Sequence, residues 1–141
     1  MSGIVFVDTN VLVYAHDADA GSKRDRAEKL LRELWDSGVG RLSVQVLQEF
    51  YVNATRKLAT PLAQASAREV VSSYGTWVRE ATTADTVTRA IDVSAVAQIS
   101  FWDALIVAAA EQVDATQICS EDLNDGQAIA GIRIVNPFAP A

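Results

Sequence analysis

Four consecutive β-prone apolar residues, Ile4-Val5-Phe6-Val7, stop abruptly at Asp8. A strand with one wet face alternates polar and apolar residues, so an unbroken apolar run suits a strand covered on both faces, the situation of a parallel sheet between helices. Helical patterns fill the chain between further short apolar runs. Asp8 can cap a helix over Asn10–Tyr14. Ser22 starts one running to about Ser37, with Leu30, Leu31, Leu34 and Trp35 on its apolar face and Gly38 as its stop. Arg41-Leu42-Ser43 reads as a short strand or turn, and Ser43 caps a helix to about Leu58. Thr60-Pro61 predicts a helix start, since proline suits the first helical position, with its end near Gly75. Trp77-Val78 reads as a strand, Thr83 opens a helix to about Val96, and Ser100 caps one from Phe101 to about Val113. Thr116–Cys119 and Arg133–Val135 read as the last two strands. Helices alternating with short buried strands predict an α/β sandwich with a mostly parallel sheet.

At 141 residues, half of them hydrophobic, the chain has the size of one domain, and no Pro/Gly-rich linker or repeat divides residues 1–141. The formal charge of −6 argues against a protein that holds nucleic acid mainly by neutralising many phosphates. The charge is uneven, however: residues 21–60 carry eight bases against five acids, the only net-positive stretch. One cysteine, Cys119, and one histidine, His16, exclude a disulfide framework, a usual Cys/His zinc site and a Cys–His catalytic pair. Cys119 reads as core filling and His16 as a surface or helix-end residue. The run Ile4–Val7 is too short for a signal segment or a membrane span, so the expected location is the cytoplasm.

In a parallel α/β sheet ligands collect at the carboxyl ends of the strands, and here those positions are acidic. Asp8 follows the first strand, and Ser120-Glu121-Asp122 with Asp125 follows the strand ending at Cys119. Asp103 opens a helix whose next seven residues, Ala104 to Ala110, are all apolar, so it must sit at the end of a deeply buried helix. Each acid alone has an ordinary explanation: Asp8 as a turn cap, Asp103 as the acid of a Ser100 capping box, Asp122 and Asp125 as loop residues, Glu49 on a wet helix face. Their convergence on one sheet edge does not. Clustered carboxylates repel unless a multivalent cation joins them, no lysine occurs after Lys57, and an all-oxygen donor set suits Mg²⁺ or Mn²⁺.

The string Val7-Asp8-Thr9-Asn10-Val11-Leu12-Val13-Tyr14 resembles the opening of a PIN domain, as in VapC-type toxins. Ser43–Phe50 around Glu49, Phe101–Ile106 around Asp103 and Ser120–Gly126 around Asp122 resemble the second, third and fourth motifs of that family in order, and Asn136-Pro137-Phe138 resembles its ending. The resemblance covers essentially the whole chain. It implies a three-layer α/β/α sandwich and a Mg²⁺- or Mn²⁺-dependent endoribonuclease, the toxin of a toxin–antitoxin pair. By position, Asp8, Glu49, Asp103 and Asp122 would form the acidic pocket, with Asn10 and Ser120 as polar neighbours; either Asp122 or Asp125 completes it. Ser120 stands where threonine is common, which keeps the hydroxyl.

The residue chemistry agrees with that implication. Phosphodiester hydrolysis needs a nucleophile at neutral pH and relief of charge on the phosphate, and a divalent metal supplies both. Asp8 and Asp103 are the expected main ligands, with Glu49 on the attacking water and Asp122 or Asp125 on a second ion or its hydration shell. Lys23, Arg24, Arg26, Arg56 and Lys57 are candidates to grip flanking RNA phosphates, and Trp35 and Trp102 read as core residues. A non-catalytic PIN-like RNA-binding module is the alternative. A haloacid-dehalogenase-like phosphatase or a receiver domain fits less well, as both want a later lysine. The expected partners are RNA, a small antitoxin and a second copy of the chain, because a mean hydropathy of +0.12 leaves apolar surface to cover.

Overall fold

The computed structural model describes residues 3–140. Its centre is a five-stranded sheet in the order β2-β1-β3-β5-β4, with β1 at Ile4–Val7, β2 at Gly40–Arg41, β3 at Ala115–Cys119, β4 at Ala128–Ile129 and β5 at Ile132–Val135. Four strands run parallel, and only β4 pairs antiparallel with its neighbour β5. Helices α1 (Thr9–Ala15), α2 (Ser22–Ser37), α3 (Val44–Arg56), α4 (Gln64–Tyr74), α5 (Ala84–Ala97) and α6 (Phe101–Gln112) complete a three-layer α/β/α sandwich. Val5, Phe6 and Val7 are fully buried, as the unbroken apolar run requires of a strand inside a covered sheet. Every residue of α6 from Ala104 to Ala110 is buried as well, so the helix that carries Asp103 is the hydrophobic centre of its layer.

The register decides where the acids fall. Val7 pairs with Cys119 and Cys119 with Val135, so three strands end level. The backbone continues the ladder by one step: Asp8 N–H donates to Cys119 O at 3.0 Å, and Ser120 N–H to Val135 O at 3.0 Å. Asp8 and Ser120 are therefore neighbours at one sheet edge although 112 residues apart.

Four expectations need correction. Pro61 does not open α4, which begins at Gln64; Leu62 N–H donates to Ala54 O at 2.9 Å, tying the segment back to the end of α3 before a helix can form. Trp77-Val78 is not a strand. Gly75–Trp77 is a 3-10 turn, and among the described residues its main-chain link toward the sheet is Leu42 N–H to Trp77 O at 3.2 Å. The Trp77 ring lies so close to Gly40 that a Cβ there would come within 2.7 Å of it, so β2 needs glycine at that position. Trp35 is not core: it is 48% exposed and meets Tyr74 and Trp77 in an aromatic trio. Trp102 is 63% exposed, because the first turn of α6 projects past the core that buries the rest. Strand β4 is an addition; Ala130 and Gly131, both at positive φ, turn the chain between it and β5.

His16 caps the end of α1, with its Nδ1 on Leu12 O at 3.0 Å and its ring against Phe50. Cys119 is buried, and burial pushes its thiol up to about 12, leaving it inert at neutral pH. Among the described residues no single helix is long and apolar enough to cross a membrane.

Candidate active site

A cleft of about 270 Å³ opens at the carboxyl edge of the sheet, and Asp8, Glu49, Asp103 and Asp122 all line it. Each reaches it from a different element. Asp8 lies between β1 and α1 as the helix cap, Glu49 is on α3, Asp103 is in the first turn of α6, and Asp122 is in the loop after β3. Asp125 does not line the cleft. It accepts from Asn136 N–H at 2.8 Å, clamping the loop to the segment after β5, so of the two loop acids it is Asp122 that stands with the others.

Asp8 is 4% exposed and both its oxygens are engaged. Oδ1 accepts from Thr9 N–H at 2.7 Å and Oδ2 from the Ser120 hydroxyl at 2.7 Å. Burial nevertheless raises its pKa to about 6: desolvation is the largest influence, the two hydrogen bonds oppose it, and the charges of Asp122 and Asp103 add to it. Asp103 is raised too, first by desolvation and then by Asp122, against a lowering hydrogen bond from Ser100. The Ser100 hydroxyl also accepts from Asp103 N–H at 3.1 Å, the expected helix cap. Three carboxylates thus feel one another with no ammonium or guanidinium lining the cleft.

A polar frame holds these acids. The Ser120 oxygen accepts from Asp122 N–H at 3.1 Å while its proton goes to Asp8. Asn10 donates to Asp122 Oδ2 at 3.1 Å and accepts from Glu121 N–H at 3.2 Å. Thr9, not anticipated from sequence, donates its hydroxyl to Glu49 Oε1 at 2.9 Å; its place between Asp8 and Asn10 was the available signal. Gln45, also unanticipated, donates to the main-chain carbonyl of Trp102 at 3.2 Å and so ties α3 to the start of α6. The Gln45 Oε1 and Ser43 Oγ atoms are buried without partners among the described residues.

The basic candidates divide. Lys23 is bound to Glu121, which also accepts from the Tyr14 hydroxyl at 2.7 Å, and its ammonium lies 4.9 Å from the Tyr14 ring centre. Arg24 pairs with Glu28, and Arg26 donates to Ala139 O. Arg56 and Lys57 are exposed at the end of α3, and Lys57 borders a shallow groove that shares Glu49 and Asn53 with the cleft.

Among the described residues no three acids close into a ready metal cage. They ring an open cleft instead. That arrangement fits a Mg²⁺-like ion, which keeps several waters and takes only one or two protein carboxylates alongside substrate phosphate oxygens.

Comparison with known proteins places this geometry. Among curated proteins nothing matches the sequence. Solved structures do resemble the fold. A toxin–antitoxin complex from Klebsiella pneumoniae aligns with a TM-score of 0.67 at 19% identity, covering 95% of this chain and 98% of that one. VapC20 from Mycobacterium tuberculosis, described as a sarcin–ricin loop cleaving toxin, aligns at 0.65 and 22% identity over 92% and 98%. VapBC2 from Rickettsia felis, bound to a promoter DNA fragment, aligns at 0.60 and 14% over 93% and 96%. The PIN domain family model matches residues 5–128, from the first buried strand through the acidic loop to β4. With that span, the parallel sheet and the acids at its carboxyl edge in agreement, the chain belongs to the PIN domain family.

Proposed function

We propose that this protein is a divalent-metal-dependent endoribonuclease that hydrolyses RNA phosphodiester bonds as the toxin of a toxin–antitoxin pair. The observation that carries the reading is the cleft lined by Asp8, Glu49, Asp103 and Asp122, in which burial and neighbouring carboxylates raise the pKa of Asp8 and Asp103 and no ammonium or guanidinium is among the described lining residues. Such an arrangement is unfavourable to folding unless a cation is to be recruited there.

Asp8 and Asp103 would hold Mg²⁺ or Mn²⁺, with Asp122 and Glu49 on its hydration shell. When bound, the ion supplies a water of lowered pKa and positive charge against the phosphate. The rest falls to the chain's own groups. Ser120 and Thr9 N–H fix the Asp8 carboxylate in one orientation, Asn10 fixes Asp122, and the Thr9 hydroxyl holds Glu49 where its free oxygen can take a proton from the attacking water. Lys57, which lines the adjoining groove, would meet a flanking phosphate.

The test is cleavage of end-labelled single-stranded RNA by the wild type, Asp8→Asn and Asp103→Asn, with Mn²⁺ or with chelator. Metal-dependent cleavage lost in both variants supports the reading. RNA binding without cleavage at any metal concentration would show the non-catalytic binding module instead.

The same reading includes two protein partners. A self-toxic ribonuclease needs restraint, and a groove of about 520 Å³ between α3 and α4, walled by Val44, Leu47, Tyr51, Val52 and Val71, offers apolar surface to an antitoxin segment. A basic side chain of that segment, best an arginine, would enter the acidic cleft and compete with metal. The purified complex then needs more Mn²⁺ than the free protein for equal occupancy; equal affinity in a metal titration leaves steric blockade as the inhibitory mechanism. A homodimer is the second partner, covering exposed apolar residues such as Ile91 and Val96, and light scattering at tens of micromolar tests it.

A further inference from the structure

Trp102 has no structural employment that accounts for its position. It precedes Asp103 in the first turn of α6, is 63% exposed, and lines the same cleft as Asp8, Asp103 and Asp122. Its aromatic contact is edge-on with Phe101, at 5.1 Å and 75°, and no described ring stacks parallel to it. Its backbone is held firmly: Gln45 on α3 donates to its carbonyl, and the Ser100 cap fixes the turn on which it sits. A large apolar ring kept in water on a rigid turn beside a polar cleft is a surface waiting for a flat apolar partner.

We propose that Trp102 is a binding residue on which an unpaired base of the RNA, next to the scissile phosphate, stacks. This rests on the nuclease reading of the cleft and deepens it by assigning a base-binding residue. Every nucleobase has a π face, so stacking tolerates sequence, but the base must first be free of its own helix. A duplex keeps its bases stacked inside, whereas a loop or single strand can splay one out. Trp102 and Asp103 share one helical turn, so a base on the ring and a phosphate at the carboxylates are set in fixed relation. Lys57, along the groove that continues from the cleft, meets the backbone further on. A ring and a few charges thus hold the RNA, which suits a chain with a net charge of −6 that cannot hold RNA by phosphate contacts alone.

The test uses a labelled single-stranded oligoribonucleotide that the wild type cleaves, and versions of it with one base at a time replaced by an abasic ribose. Wild type, Trp102→Phe and Trp102→Ala are compared for KM and kcat separately. Loss of one stacked base corresponds to about 5- to 150-fold weaker binding. Trp102→Ala should raise KM by a factor in that range with kcat little changed, and Trp102→Phe should recover most of it. One abasic position beside the cleavage site should cost the wild type a similar factor and cost Trp102→Ala nothing. An unchanged KM in Trp102→Ala, or abasic penalties equal in wild type and variant at every position, overturns the proposal. So does a Trp102→Ala variant with normal KM but a lower mass by light scattering, since the ring would then serve a protein interface. If the wild type binds the oligonucleotide without cutting it, the same comparison in Kd decides the stacking role while the nuclease reading fails. If it neither binds nor cuts, both fail.

Discussion

Glu121 and Asp122 are adjacent in sequence, yet they sit in opposite electrostatic worlds. Burial alone would raise the Glu121 pKa, but hydrogen bonds from Lys23 and Tyr14 outweigh it and the net shift is downward. The Lys23–Tyr14–Glu121 cluster, closed by the Phe138 ring 5.0 Å from Tyr14, is a self-satisfied tie between α1, α2, the loop after β3 and the C-terminal segment. Asp122 faces the other way, into the cleft with Asp8 and Asp103, where its charge adds to the burial that raises both of them and no described ammonium or guanidinium lines the site. Where the protein supplies its own cation the carboxylate builds structure. Where it withholds one, the charge remains available for something from outside.

The largest expected effect lies on the withheld side. Asp8→Asn or Asp103→Asn should lower RNA cleavage at saturating Mn²⁺ by at least about 100-fold, since a metal's contribution to phosphate hydrolysis is worth several kcal/mol. Neither variant should melt below the wild type in the absence of metal by more than a few degrees. Wild-type cleavage in either would break the contrast, because Asp8 and Asp103 would then be as structural as Glu121.

Next in size is a pH effect. The folded-state pKa of Asp8, about 6, lies above its ordinary value of 3.8. The folded protein therefore takes up a proton that the unfolded chain does not as pH falls from about 7 to 4. Metal-free stability should rise over that window by up to about 3 kcal/mol, two pKa units at 1.36 kcal/mol each. Urea melts at pH 7 and pH 5 measure the gain. Asp8→Asn should lack most of it, and a wild type that loses stability between those two pH values contradicts the picture.

On the satisfied side the effects are smaller. Lys23→Met should destabilise by about 0.5–1 kcal/mol, the range for a partly exposed ion pair, with cleavage per folded molecule unchanged. Salt titration sharpens this: 1 M NaCl should erase most of the difference between Lys23→Met and wild type. A large loss of kcat in Lys23→Met would instead join the tie to the acidic cleft. The smallest effect is expected for Asp125→Ala, which gives up one exposed hydrogen bond to Asn136 N–H, about 0.5–1 kcal/mol of stability. Its metal affinity should equal that of the wild type in a Mn²⁺ titration, whereas Asp122→Ala should bind Mn²⁺ more weakly.

Much of this was legible in the chain itself. The run Ile4–Val7 could only be a covered strand, and the seven apolar residues after Asp103 could only be a buried helix, because patterns that strong leave burial no alternative. The order of acids at strand and helix ends pointed to one sheet edge. What sequence misjudged was local and weakly patterned. Thr60-Pro61 carries a helix-start signal, but the hydrogen bond from Leu62 to Ala54 overrides it. Trp77-Val78 has strand-forming residues, but the 3-10 turn Gly75–Trp77 takes up the segment before it can run alongside β2. Strand β4 is two residues long and exists only through its pairing with β5.

Sequence alone determined the fold class and the sheet-edge location of the acids, since these follow from burial patterns and residue types. The tertiary structure decided which charges were spoken for. That Asp122 and not Asp125 joins Asp8, that Lys23 is bound to Glu121, and that Trp102 stands in the cleft rather than the core depend on contacts across gaps of up to 112 residues. Such choices are set by the level register of β1, β3 and β5 and by how far the first turn of α6 reaches beyond the core. Neither is written in the neighbours of any one residue, because both arise only when distant segments settle how they pack.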